Sequence, residues 1–258
     1  MITAWRDAKS KGLPPGLRRL EYQSAVDGVA DWALIQPPTN GTRWIVCIHG
    51  HGSSGDQLWT SSLTRPWLPV FQKRGSGILS PHLRGNAWMG PAAAADLHWL
   101  LKVVRAEFSA THFDFVSGSM GGTSNLIYAG LHPADAASVV ALGPATDLAT
   151  YLHWCRQKPA PILTEIADAI ETAYGGSPAT KSAMLTAHSP LANARHLTMP
   201  LYLAHGEADA IIPVTQSRKF ASVLTCSPVF QYEEIPGGDH DAPIPAAARA
   251  LDWVLSKS

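Results

Sequence analysis

Continuous apolar runs alternate with segments of helical periodicity along most of this chain. RWIVCIHG, residues 43–50, is apolar on both alternating sets, the pattern of a strand buried on both faces. SGILSPH (76–82), HFDFVSG (112–118), SVVALGPA (138–145), MPLYLAHG (199–206) and VFQYEEIPG (229–237) read as further strands. Residues 91–108 predict a helix: Pro91 suits its first turn, and Leu97, Leu100, Leu101 and Val104 line one stripe. Residues 120–131, 215–224 and 244–255 read as helices after their strands. Upstream, 18–36 predicts two short strands around an Asp27-Gly28 turn, and PPTNG (37–41) a second turn. Strands that alternate with helices predict an α/β fold, a mostly parallel central sheet with helices on both faces. Residues 146–190 carry helical periodicity and no strand signal. They predict a helical lid inserted between two strands, over the edge of the sheet where a site opens.

Composition narrows the picture. The chain has 258 residues, 46% of them hydrophobic, which supplies a substantial core and argues against disorder. No repeat, low-complexity tract or linker divides it, so a single domain over 1–258 is expected. Formal net charge is zero, which gives no footprint for nucleic acid or an anionic membrane and suits a small-molecule substrate. Oligomeric state is not readable from these patterns. The three cysteines, Cys47, Cys155 and Cys226, lack Cys-x-x-Cys spacing and read as buried thiols, so neither metal nor cofactor is expected. The first sixteen residues lack the apolar core of a signal peptide, and no apolar run reaches bilayer length; a cytoplasmic location is the expectation.

DFVSGSMGGTSN, residues 114–125, breaks from strand into serine and glycine just before a helix. A serine on a strand–turn–helix exposes its Oγ and sets the next backbone N–H at a helix N-terminus. Ser119 is flanked two positions away by Ser117 and Gly121, a departure from Gly-x-Ser-x-Gly at the first of these. Ser117 is a rival nucleophile, but it lies within the strand end. A serine nucleophile needs a base, a carboxylate that orients the base, and donors for an oxyanion. HGHGSSGD (49–56) follows an early strand and suits an oxyanion loop. PLYLAHGEAD places Asp209 after a later strand, and FQYEEIPGGDHD places His240 after the last.

These four motifs in this order resemble the α/β-hydrolases, over roughly residues 20–256. HSPL (188–191) before MPLYLAHGEADAIIP resembles prolyl-oligopeptidase-like catalytic domains and acetyl or feruloyl esterases. The resemblance implies Ser119 as nucleophile, His240 as base and Asp209 as acid, with Glu207 as the nearest competitor. It implies oxyanion donors at the backbone N–H groups of Met120 and His51, with Gly52 an alternative to His51. His49 and His205 read as packing or supporting residues, and Asp239 and Asp241 as loop carboxylates. Trp59, Trp88 and Trp154 are pocket candidates for a sugar or aryl group, with core or lid packing as the competing reading. Arg84 suits either a polar substrate group or a structural ion pair. The expected activity is a serine carboxylic-ester hydrolase on small acyl or carbohydrate-linked esters. The alternatives are a peptidase of prolyl-oligopeptidase type without its propeller, or a non-catalytic binding protein on the same fold.

Overall fold

The computed structural model describes residues 1–8, 13–224, 227 and 229–257; Cys226 lies outside them. Its sheet has nine strands: β1 (Ile2–Asp7), β2 (Arg18–Gln23), β3 (Ala30–Gln36), β4 (Arg43–Val46), β5 (Gly77–Pro81), β6 (His112–Gly118), β7 (Ser138–Leu142), β8 (Leu201–Gly206) and β9 (Phe230–Ile235). The spatial order is β1-β2-β3-β5-β4-β6-β7-β8-β9. β1, β2, β3 and β5 pair antiparallel; from β5 through β4 to β9 every pairing is parallel. The helices are α1 (Gln57–Thr60), α2 (Leu68–Lys73), α3 (Pro91–Phe108), α4 (Met120–Leu131), α5 (Leu148–Arg156), α6 (Pro161–Tyr174), α7 (Pro178–His188), α8 (Thr215–Leu224) and α9 (Ala247–Leu255).

Alternation along the central strands explains the continuous apolar runs. Trp44, Val46, Phe113, Phe115, Val139, Ala141, Leu201 and Leu203 face one layer, which includes residues of α3 to α8. Ile45, Val116, Val140, Leu142, Tyr202 and Ala204 face the other, built with Leu58, Trp67, Phe71 and the α9 stripe of Ala247, Ala250, Leu251 and Val254. With helices on both faces, neither set of side chains meets water, so both are mostly apolar, and a polar residue among them is paired, as Asp114 is with Arg43 and Ser138. The helical segment after β7 resolves into α5, α6 and α7, whose Leu152, Ile166, Ile170 and Leu185 join the first layer.

β1 has no counterpart among the strands read from the sequence. It is an edge strand with an exposed or half-exposed burial pattern, so it carries no apolar run. Arg18 lies 4.3 Å over the Trp5 ring and helps cover it. Helices α1 and α2 are also additions, since segments of 4 and 6 residues are too short to show a period. The Asp27-Gly28 turn lies between β2 and β3, with Gly28 at φ 74°.

Candidate functional site

Ser119 follows the last residue of β6 and is the N-cap of α4. Its φ is 56°, a region that non-glycine residues enter only when the surroundings impose it. The imposition is visible: Ser119 N donates to Leu142 O at 2.7 Å, and Thr123 N donates to Ser119 O at 2.9 Å. The turn lifts the side chain out of the sheet at the C-terminal ends of the parallel strands.

The elbow is tight because α4 passes against the end of β4. A Cβ on Gly121 would lie 2.1 Å from Ile48 O, so only glycine fits there. Ser117 occupies the matching small-residue position on the other side. It is fully buried, and its Oγ accepts the N–H of Ile48 at 2.8 Å. This is the use of the Ser117 hydroxyl, and it places Ser117 in the strand packing, away from the cavity beside Ser119.

His240 and Asp209 come to Ser119 from the loops after β9 and β8. Ser119 Oγ and His240 Nε2 are 2.9 Å apart, and His240 Nδ1 and Asp209 Oδ2 are 2.6 Å apart. Gly206 lets these two loops meet, since a Cβ there would stand 2.1 Å from Asp239 O. Asp209 also accepts from Ile211 N and Ile212 N at 2.8 and 2.9 Å. His205, wholly buried, lies with Nε2 3.2 Å from Asp209 Oδ2 and 2.8 Å from Ile212 O, and its Nδ1 faces Ser217 Oγ. Burial alone would raise the Asp209 pKa. The hydrogen bonds from His205 and His240, the His240 charge and the Ile212 N–H outweigh it and hold the carboxyl well below its ordinary range. Glu207 points elsewhere and accepts Gly237 N. Asp239 caps its own turn through Asp241 N and Ala242 N.

The turn after β4 brings Gly50 and His51 to the cavity that Ser119 lines. Gly50 N is taken by Gln57 Oε1 at 2.7 Å and Gly52 N by Asn86 Oδ1 at 2.8 Å. Among the described residues, no partner occupies the N–H of His51 or of Met120. His49 spans to His82 O and Gly50 O with its two ring nitrogens.

A cavity of about 210 Å³ opens beside Ser119 and His240. Its walls include Gln57, Leu58, Leu63, Trp67 and Ile244, while no residue of the 146–190 segment lines it. The aromatic in this wall is Trp67, at the end of a short 3₁₀ turn, Arg65–Trp67. Sequence reading passed over it because a three-residue turn has no periodic signature.

The tryptophans singled out from the sequence lie elsewhere. Trp59 is 2% exposed in the α9-side core, and Trp88 is 1% exposed in the opposite core. Trp154 is half-buried and stacks on Tyr151. A large apolar ring gains more by leaving water than by waiting for a ligand, and here each finds a core. Arg84 is an ion-pair residue rather than a pocket residue of this site. It donates to Asp27 at 2.7 and 2.9 Å and to the buried Asp96 at 2.7 Å.

Outside this site, His98, His132 and Asp135 bring possible ligand atoms within 4.8 Å of one another. Asp135 is already engaged by Arg105, Tyr128 and His98, and a guanidinium at the same carboxylate opposes a cation. Both other described cysteines, Cys47 and Cys155, are buried thiols, and burial pushes Cys47 up to about 12. No described helix is long and apolar enough to cross a membrane.

No family model and no curated protein matches the sequence. Solved structures do. The fluorophosphonate-binding serine hydrolase FphF of Staphylococcus aureus superposes with TM-score 0.69 at 16% identity, covering 92% of this chain and 97% of its own. An S-formylglutathione hydrolase from Agrobacterium tumefaciens gives 0.71 at 12% identity, covering 99% and 98%. A putative dipeptidyl aminopeptidase IV from Bacteroides ovatus gives 0.70 at 12% identity, over 93% of this chain but 35% of its own. With a mostly parallel nine-stranded sheet, helices on both faces, and these neighbours, the chain has the α/β-hydrolase fold.

Proposed function

We propose that this protein is a serine hydrolase that cleaves carboxylic esters of small acyl groups through an acyl-enzyme. The observation that carries the reading is the unbroken chain Ser119 Oγ–His240 Nε2–Asp209 Oδ2, at 2.9 and 2.6 Å, beside two unoccupied backbone N–H groups. Asp209 stays ionised and accepts from His240 Nδ1, which leaves Nε2 as the base. The Ser119 proton passes to Nε2 as Oγ bonds to the ester carbon. The N–H groups of His51 and Met120 meet the oxygen that becomes negative. His240 then returns the proton to the leaving alcohol, and Ser119 is left acylated. Water attacks the acyl carbon with one proton taken by His240; His240 passes that proton to Ser119 Oγ as the bond from Oγ to the acyl carbon breaks, and the acid departs.

The acyl group occupies the cavity walled by Leu58, Leu63, Trp67 and Ile244, whose modest size favours short chains. The test is a series of p-nitrophenyl esters of increasing acyl length, run on the wild type and Ser119→Ala. Turnover of short esters that falls by at least 10³-fold in the variant is the expected result. Equal rates in the two proteins would remove the assignment. The likeness to the Bacteroides ovatus putative aminopeptidase motivates a second reading, a peptidase using the same three residues. Preferential turnover of dipeptidyl anilides over esters would favour it.

A further inference from the structure

Loop 82–90 concentrates backbone strain. Among the described residues, six non-glycines have positive φ, and four of them lie here: Leu83 at 47°, Arg84 at 64°, Trp88 at 45° and Met89 at 53°. Such strain persists only where surrounding structure over-determines it, and it clusters at functional sites. On one side the loop is anchored. Arg84 is clamped by Asp27 and Asp96, its N–H donates to Asp31, and the Tyr174 hydroxyl donates to Trp88 O and Met89 O at 3.1 and 3.3 Å. On its other side the loop touches the turn that carries His51, three times over. His82 O faces His49 Nε2, Asn86 Oδ1 accepts Gly52 N, and Trp88 Nε1 donates to His51 Nδ1 at 3.2 Å.

The last contact is selective. Trp44 and Trp59 are buried with no partner for their indole N–H, so burial in this fold does not by itself force such a bond. The His51 ring is held at both ends, because its Nε2 also faces Glu165 Oε1 of α6 at 3.2 Å. Its side chain is 4% exposed. An Nδ1 that accepts leaves Nε2–H as the donor to Glu165, which sets one neutral tautomer. The ring is joined to the backbone only through χ1 and χ2, so pinning both of its nitrogens restricts where the His51 Cα can sit; with the flanking Gly50 N and Gly52 N held by Gln57 and Asn86, that limits rotation of the peptide that carries the His51 N–H.

We propose that Trp88 is a positioning residue that acts through the His51 ring to aim the His51 backbone N–H at the oxyanion. This rests on the ester-hydrolase reading of the site. A donor aimed off its mark costs transition-state stabilisation and leaves ground-state binding untouched.

The experiment compares wild type, Trp88→Phe, His51→Phe and the double variant. Both single variants keep the backbone N–H and an aromatic ring, and lose the ring-to-ring hydrogen bond. For each, kcat and KM are measured on a short p-nitrophenyl ester. The inhibition constant of a boronic acid, which forms a tetrahedral adduct on the serine with an oxygen in the oxyanion site, is measured alongside. Each single variant is expected to lose about 10-fold in kcat with KM unchanged, and to bind the boronic acid about 10-fold more weakly. The double variant is expected to lose no more than either one. Losses that multiply in the double variant, a loss confined to KM, or rates equal to wild type would overturn the proposal. If Trp88→Phe does not fold, His51→Phe decides alone by whether kcat and boronic-acid affinity fall together. Ser119-dependent turnover by wild type with unchanged variants would remove this inference and leave the hydrolase reading standing. A wild type that neither turns over esters nor binds the boronic acid would remove both.

Discussion

Gly121→Ala sets two physical effects against each other with opposite signs. Gly121 is the second residue of α4, and alanine in an open helical position would stabilise by about 1 kcal/mol relative to glycine. Here the new Cβ would lie 2.1 Å from Ile48 O, 2.9 Å from Ile48 C and 2.9 Å from Ser117 Cβ. The first contact is with backbone, which cannot rotate aside. Reaching ordinary separation requires the end of β4 and the start of α4 to part by about 1 Å. Overpacking of this kind costs about 3 kcal/mol at the upper end of its range, so the net loss is about 2 kcal/mol. At this chain length that lowers Tm by roughly 4–8 °C. The same displacement moves the His51 turn relative to Ser119, and a shift of about 1 Å at reacting groups costs about 10²-fold in kcat. The assay is a thermal melt of the purified variant together with kcat on a short p-nitrophenyl ester. A variant that melts higher than wild type and turns over normally would show that helix propensity wins and that the close approach has no consequence.

Two further outcomes are expected. Burial lowers the pKa of His51, His82, His132 and His188 below the ordinary 6.5. Each therefore binds its proton more readily when unfolded, and their contribution is complete above that value and is lost as pH falls through the folded-state values. Asp209 acts with the same sign at far lower pH. Tm is expected to be level between about pH 7 and 8 and to fall as the pH drops below about 6.5; a Tm that rises on that acidification would refute the account. Arg84→Met leaves Asp96, whose side chain is 4% exposed, with Ser24 as its remaining side-chain partner. It is expected to cost about 3 kcal/mol at neutral pH and to be partly rescued by Asp96→Asn in the same chain. Denaturant melts check this, and an unchanged midpoint for Arg84→Met would show that the pair contributes nothing.

Much of the architecture was legible in the chain because a parallel sheet covered on both faces leaves a local trace. WIV, VVAL and YLA are apolar on both alternating sets, and glycine-containing turns follow several of these strands. Ser119, Asp209 and His240 could be proposed in order for the same reason: each follows a strand, and the strand ends converge on one edge. Their hydrogen-bonded distances could not be read this way. They depend on Gly206 and Gly121 allowing loops from distant positions to approach within a few ångströms.

What tertiary structure alone decided was which side chains of similar type face the cavity. Trp59, Trp67, Trp88 and Trp154 look alike in sequence; all four pack in or against the core, and of them Trp67 also lines the cavity. Arg84 carries the charge of a substrate clamp, but Asp27 and Asp96, 57 and 12 residues away, claim it. Of the two backbone N–H groups offered after β4, His51 and Gly52, that of Gly52 is taken by Asn86, 34 residues along the chain. Periodicity reports whether a residue faces inward, since that repeats along an element. Which neighbour it meets there depends on contacts between elements far apart in the chain, and no local pattern records those.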